Sequence, residues 1–343
     1  MPDRGRSRSV LHLALGGTIA CVKTRAGLVP RLGAADLLSS VRPPPRVVVQ
    51  GLDVGRMTTL LPRDWVALAR RIARAYASHD GFVVTLGTDT LAYVAAALTV
   101  MLENLGKPIV LTGAMRPMGD AQSDGRRNLT DALRVAAADG VAGVLVVFHG
   151  RILDGGRASK VRCDGDDAFE SIGAPLLGRV RGAGIEWQGK PRPPQPRAVL
   201  ALRDALDPNV ATCKLTPEVG AAWVRGFERC HGVVVEGYGD GNVPTELVPA
   251  LARLAKRRLV VLASQCTYGA VAHRYEGGRA LIRAGALSAG DATKEMAHVR
   301  LMWALGLGLD RRAAKRWFRS SRSIRRPKRA PRDPSFGVPS PGR

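Results

Sequence analysis

The chain has 343 residues, 45% of them hydrophobic and only 5% aromatic, with a formal net charge of +23. That length and apolar content exclude a disordered body and allow a sizeable core in two domains, while few aromatics beside abundant Ala, Gly, Val and Leu favour helices packed on parallel strands over an aromatic-rich sandwich. Charge is uneven: 12 Lys/Arg against the single Asp333 occupy residues 311–343, so about +11 sits in that tail and about +12 in a moderately basic body.

At the amino terminus Arg4, Arg6 and Arg8 precede an apolar run at 10–15, with Cys21 placed as in a lipoprotein cleavage box. The run is short and His12 interrupts it, so it reads as a first strand and not an export signal. No run reaches the roughly 18 to 20 apolar residues of a membrane span. Further strands are expected at 47–52, 81–85, 108–112 and 143–148, with helical spacing of apolar residues at 61–77 and 90–105. Strands alternating with helices predict an α/β fold with a larger, mostly parallel amino-terminal sheet.

Residues 189–197 are too rich in proline for a helix or a central strand. They mark a connection, expected over 189–212, between an amino-terminal domain at 1–188 and a smaller α/β domain at 213–310. Around and beyond it, strands are expected at 198–202, 232–235 and 259–263, and helices at 217–229, 245–257 and 291–305. From Arg311 the basic, proline-containing tail is expected to be largely disordered beyond a helix extension to about Phe318. Five scattered cysteines without CxxC spacing suit a reducing cytoplasm better than a disulfide framework or a zinc site.

Three segments are candidates to carry chemistry. Gly16-Gly17-Thr18-Ile19-Ala20 falls where the first strand ends, and a double glycine there lets backbone approach a ligand and sets Thr18 at a cleft; a buried turn threonine explains the segment equally well. Leu86-Gly87-Thr88-Asp89-Thr90 follows a buried strand and opens a helix. Thr88 or Asp89 would cap that helix, and its outward N–H groups would suit a carboxylate or an oxyanion. Lys160 closes the 153–160 loop LDGGRASK; a lone loop lysine is ordinarily a solvated charge. An alcohol nucleophile needs a proton acceptor, and a lysine serves once its surroundings lower its pKa. Asp89 would orient that lysine or bind a substrate ammonium, and Thr88 would relay the proton.

Together these segments resemble the bacterial-type L-asparaginases, especially their cytoplasmic branch, and the related archaeal amidotransferase subunit that frees ammonia for tRNA-bound glutamate. The resemblance spans about 11–309 and includes PIVLTGAMRP at 108–117, Ser123-Asp124-Gly125 with Asn128-Leu129, Ala168-Phe169, GYGDGNVP at 237–244, SQCTYG at 264–269 and GDATKE at 290–295. It implies a two-domain asparaginase-like fold and hydrolysis of an asparagine side-chain amide. Thr18 would be the nucleophile and Thr88, Asp89 and Lys160 the second catalytic set. Substrate contacts would come from Gly55, Arg56, Asp89, Glu295 and, from a neighbouring subunit, Asn242. It also implies a homodimer or homotetramer and no metal or organic cofactor. Backbone N–H groups near Gly17 and Thr88 are the expected oxyanion site.

Three departures alter the substrate shell. Leu28 stands where the family has a lid tyrosine, Leu86 where it has a polar residue, and Gly55 where a serine binds the substrate carboxylate, with Arg56 beside it to compensate. Amide hydrolysis is thus better supported than free asparagine as substrate, and larger or modified amides stay open. Two rivals remain: an ammonia-delivering amidotransferase subunit, which would be expected to carry an additional amino-terminal domain, and an impaired sensor or nucleic-acid binder using the Arg-rich tail through phosphate contacts. Nucleic-acid contact by the tail is the less favoured reading, since a solvated extension suffices.

Overall fold

The computed structural model of the protein describes residues 6–189 and 199–320. In chain order it begins with β1 (Arg8–Gly16), the hairpin β2 (Cys21–Thr24) and β3 (Gly27–Pro30), α1 (Ala34–Ser39), β4 (Val47–Met57), α2 (Pro62–Ala75), β5 (Gly81–Thr85) and α3 (Thr88–Met101). Then come β6 (Leu102–Glu103), β7 (Pro108–Thr112), α4 (Gly125–Ala136), β8 (Gly143–Phe148), β9 (Arg151–Asp154), β10 (Ala158–Lys160), β11 (Phe169–Ser171), β12 (Gly178–Arg181) and β13 (Gly184–Trp187). The larger sheet has eight strands in the order β13-β12-β9-β8-β7-β5-β1-β4. Its half from β4 to β8 is parallel, and β9, β12 and β13 close the other edge antiparallel.

Both faces of this sheet are covered, which is why β5, β7 and β8 are buried at every position and apolar except for the threonines that end β5 and β7, Thr85 and Thr112. Along β1 the side chains alternate, Leu11, Leu13 and Leu15 entering the core under α2 and α3, Val10 and Ala14 the opposite core under α4. The helix α2 starts as its sequence dictates, with Pro62 at its first turn and the Asp64 carboxylate accepting the Leu61 N–H at 2.8 Å.

The smaller second domain follows: β14 (Ala201–Leu202), β15 (Val210–Lys214), α5 (Ala221–Arg225), β16 (Gly232–Gly237), α6 (Val248–Arg257), β17 (Leu259–Ser264), α7 (Glu276–Arg283), β18 (Leu287–Ser288), α8 (Lys294–Gly306) and α9 (Arg311–Ser320). Its sheet, β15-β16-β17-β18, is wholly parallel. The expectation of a mostly parallel α/β fold with a smaller second α/β domain therefore holds.

Several expected elements differ. The expected strand at 198–202 is not part of the second sheet: β14 pairs antiparallel with β6 of the first domain. That sheet starts at β15, inside the stretch expected to be connection, where only Cys213 of five residues is buried and no apolar run announces a strand. The third helix begins at Thr88, not residue 90, and the helices at 217–229 and 245–257 are each part 3-10. Most of the proline-rich 189–197 segment and the tail from residue 321 lie outside the described residues. Among the described residues no helix is long and apolar enough to cross a membrane, and all five cysteines are free.

Candidate active site

Strands β1 and β5 are parallel neighbours, with Ala14 opposite Thr85, so their carboxyl ends bring the two threonine segments together. The approach is backbone to backbone: a Cβ on Gly17 would lie 2.1 Å from the Gly87 nitrogen. Gly16 and Gly17 have φ of 98° and 76°, a region suited to glycine. Directly after this bend Thr18 opens a one-turn 3-10 helix, half-buried, while Ile19 and Ala20 behind it enter the core.

On the other side of the contact, Gly87 leads into α3. Among the described residues no side chain caps this helix, which leaves its first-turn N–H groups without a side-chain acceptor. Thr88 is buried and Asp89, the acidic residue of that first turn, is 86% exposed at its side chain. Lys160 reaches them from β10: its Nζ donates to Thr88 Oγ1 at 2.9 Å and to Asp89 Oδ1 at 2.6 Å. Thr88 and its neighbour Asp89 thus form one polar set with Lys160, 72 and 71 positions further along the chain, beside the Gly17–Gly87 contact. Of the N–H groups near Gly17 and Thr88 expected to serve an oxyanion, that of Gly17 itself donates to Met57 O at 2.9 Å and is already committed.

Gly55 and Arg56 lie near the end of β4, which meets β1 at the Gly16–Met57 pair, so they sit on the same rim as Thr18. Leu28 is 51% exposed on β3 of the hairpin following Thr18, and Leu86 is fully buried. Asn242 lies in the turn after β16, paired with Tyr238. Glu295 is placed unlike a substrate ligand of its own chain: it is 3% exposed, and its Oε1 accepts from Ser159 Oγ at 2.8 Å.

Supporting residues emerge that the motifs alone did not assign. The Asp124 carboxylate accepts the Met115 and Arg116 N–H groups and the Asn128 side chain, each at 3.0 Å, and Asn128 also donates to Gly113 O. This lock holds Gly113, whose Cα face is pressed against Leu86 O and the Thr88 methyl. A signal was present, since Ser123-Asp124-Gly125 reads as a helix start. Below the site His12 is fully buried with Nε2 2.9 Å from Thr85 Oγ1, and burial lowers its pKa to about 4 against an opposing pull from Asp53.

Residues 9–193 match the family model for the asparaginase N-terminal domain, and residues 209–318 match that for the glutaminase/asparaginase C-terminal domain. An L-asparaginase of Thermococcus kodakarensis is 39% identical over 306 residues, covering 87% of this chain and 92% of that protein. L-asparaginase 1 of Escherichia coli is 32% identical over 320 residues, covering 89% and 94%. The solved structure of the thermostable L-asparaginase from Thermococcus kodakarensis has a TM-score of 0.85 at 38% identity, covering 90% of this chain and 96% of that one.

Proposed function

The chain belongs to the asparaginase family and is an amidohydrolase of that type, and on that premise we propose that it hydrolyses the side-chain amide of L-asparagine with Thr18 as nucleophile. The observation that carries the reading is Lys160 bonded to both Thr88 and Asp89 beside the Gly17–Gly87 contact. Thr18 Oγ1 attacks the amide carbon, its proton passing to the Thr88–Lys160 pair, and the open N–H groups at the start of α3 face the oxyanion. Collapse of the tetrahedral adduct breaks the C–N bond, the proton returns to the leaving nitrogen, and ammonia departs from an ester on Thr18. Water then loses a proton to the same pair and attacks the ester; the C–O bond to Thr18 breaks, the pair returns its proton to Thr18 Oγ1, and aspartate is released.

Asp89, exposed at the mouth, pairs with the substrate ammonium, and Gly55 and Arg56 offer the carboxylate its contacts. Asn242 reaches the site of a neighbouring subunit in a homodimer or homotetramer, and the compartment is the cytoplasm. A second reading, a larger asparagine-containing amide, is favoured by the exposed Leu28 in place of a lid phenol. Ammonia release from L-asparagine, D-asparagine, L-glutamine and asparaginyl peptides, with Thr18→Ala and Lys160→Ala alongside, tests both. Activity on L-asparagine that survives Thr18→Ala would overturn the mechanism, and turnover confined to the peptides would select the second reading.

A further inference from the structure

Lys160 sits on a strand of three residues that belongs to neither large sheet; among the described residues β10 pairs only with β11. A two-stranded ribbon is marginal by itself, so the lysine's position depends on what else grips the strand. Two polar bridges do, one part-buried and one buried, and both come from the second domain. Arg157, 3% exposed, donates to Asp291 O at 2.7 Å and meets Asp291 Oδ2 at 3.2 Å. Ser159, beside the lysine, donates to Glu295 Oε1 at 2.8 Å.

Glu295 lies in the first turn of α8, where Thr293 caps the helix by accepting the Met296 N–H at 3.0 Å. The same helix sends Met296, Val299, Met302 and Trp303 into the core shared with Leu91, Ala95 and Leu98 of α3. So α8 packs on the helix that presents Thr88 and Asp89 and is bonded to the strand that presents Lys160. Successive residues of a strand face opposite sides, which leaves Ser159 turned to Glu295 while Lys160 turns to its own partners. The second carboxylate oxygen of Glu295, Oε2, is buried with no hydrogen-bond partner among the described residues. A buried carboxylate so incompletely satisfied is costly to keep in a core that α8 could fill with an apolar side chain.

We infer that Glu295 is a positioning residue, which through Ser159 locks β10 to α8 and holds Lys160 Nζ within hydrogen-bond reach of Thr88 and Asp89. The inference rests on the catalytic reading of Lys160. It assigns the second domain a direct part in the chemistry of the first, within a single chain, and it makes the Ser159–Glu295 bond the point of transmission.

The test is steady-state ammonia release from L-asparagine across pH by the full chain and by Ser159→Ala, Glu295→Ala, Glu295→Gln, the Ser159→Ala/Glu295→Ala double variant and Lys160→Ala. Arg70→Ala is the control, because Arg70 pairs with Asp204 in another polar contact away from Lys160. A displaced catalytic group costs on the order of tenfold to a hundredfold in kcat. The expected result is a loss of about tenfold in kcat for Ser159→Ala and Glu295→Ala with KM changed less than about twofold, and no further loss in the double variant. Glu295→Gln, which keeps an acceptor for the serine, should recover most of the rate. The pH of half-maximal kcat should move in the two alanine variants and stay put in Arg70→Ala. Parent-like kcat and pH profile in Ser159→Ala and Glu295→Ala, with Lys160→Ala inactive, would overturn the inference and leave the lysine reading intact. An active Lys160→Ala would remove both.

Discussion

Gly17 and Gly87 touch backbone to backbone, so closely that a Cβ on Gly17 would stand 2.1 Å from the Gly87 nitrogen and 2.3 Å from its Cα. Thr18 and Thr88 each follow one of these glycines, and their proximity is a consequence of that contact. A methyl at Gly17 has to push the two strand ends apart and also occupy φ of 76°. Strain and overpacking of this kind cost about 2 to 4 kcal/mol together. Gly17→Ala should therefore lower unfolding stability by about that amount and abolish ammonia release. Gly27→Ala is the matched control: φ is 106° there, but nothing lies within 4 Å of the added methyl. Urea unfolding should show about 1 kcal/mol lost, with activity retained.

For the lysine, the expected outcome separates binding from chemistry. Lys160→Met keeps the stem and its packing and removes the group bonded to Thr88 and Asp89. General base catalysis contributes about 10² to 10⁴ in rate, so kcat should fall within that range. Calorimetric binding of L-aspartate, the product, should change by less than about tenfold. A large loss of binding with kcat preserved would show that Lys160 holds ligand and moves no proton.

The candidate site segments were legible in the sequence because each ends or follows a strand buried on both faces, such as β5 and β8, where composition and topology agree. Their mutual placement was not. Nothing in a linear reading brings Ser159 to Glu295, 136 residues away, or shows that the Gly17 N–H is already committed to Met57. The strand β15 escaped for another reason: its exposed Thr212 and Lys214 flank a single buried Cys213, so packing by neighbours and not its own hydrophobicity makes it a strand. The small β14 was assigned to the wrong sheet because a two-residue pairing with β6 leaves no periodic signature.

Stability should fall in mild acid through His12. Its pKa is about 4 in the folded chain and 6.5 in the unfolded one. A group depressed on folding contributes fully above the unfolded value and loses its contribution as pH falls toward the folded one. The window is therefore pH 6.5 to 4, and the loss is about 3 kcal/mol. Urea-unfolding free energies over this range should show that slope in the parent. In His12→Gln the slope should shrink by the equivalent of one proton.

At the substrate shell, Gly55 is the departure most open to test. A side chain there would meet the Met57 methyl carbon at 2.7 Å, the far end of a flexible chain that can swing aside. A serine hydroxyl added beside a bound carboxylate contributes about 1.5 to 3 kcal/mol, or one to two decades of affinity. Gly55→Ser should lower KM for L-asparagine by about tenfold or more with kcat little changed. An unchanged KM would place the substrate carboxylate elsewhere, and Arg56→Ala would then be the variant that raises it.

The helix α9 is part of the folded body, though its composition is basic. Two of its residues, Ala314 and Phe318, are buried in the second domain's core. Arg300 of α8, itself 5% exposed, places its guanidinium 4.5 Å from the Trp317 ring and 4.4 Å from that of Phe318, and donates to both of their carbonyl oxygens at 3.3 Å. Burial lowers the Arg300 pKa to about 10, with Arg157 adding to the effect and Asp291 opposing it, so the group stays charged at neutral pH and depends on these partners. Truncating Phe318 to alanine opens a cavity and uncovers one side of that cation, at a cost of about 3 to 5 kcal/mol. Ending the chain after Asp310 should cost at least as much, because it also strips Trp317 from Trp303, whose rings lie 4.7 Å apart. Since α8 also carries Glu295, the truncated chain should lose kcat as well as stability. Equal melting temperatures for the truncated and full chains would show that α9 contributes nothing to the fold.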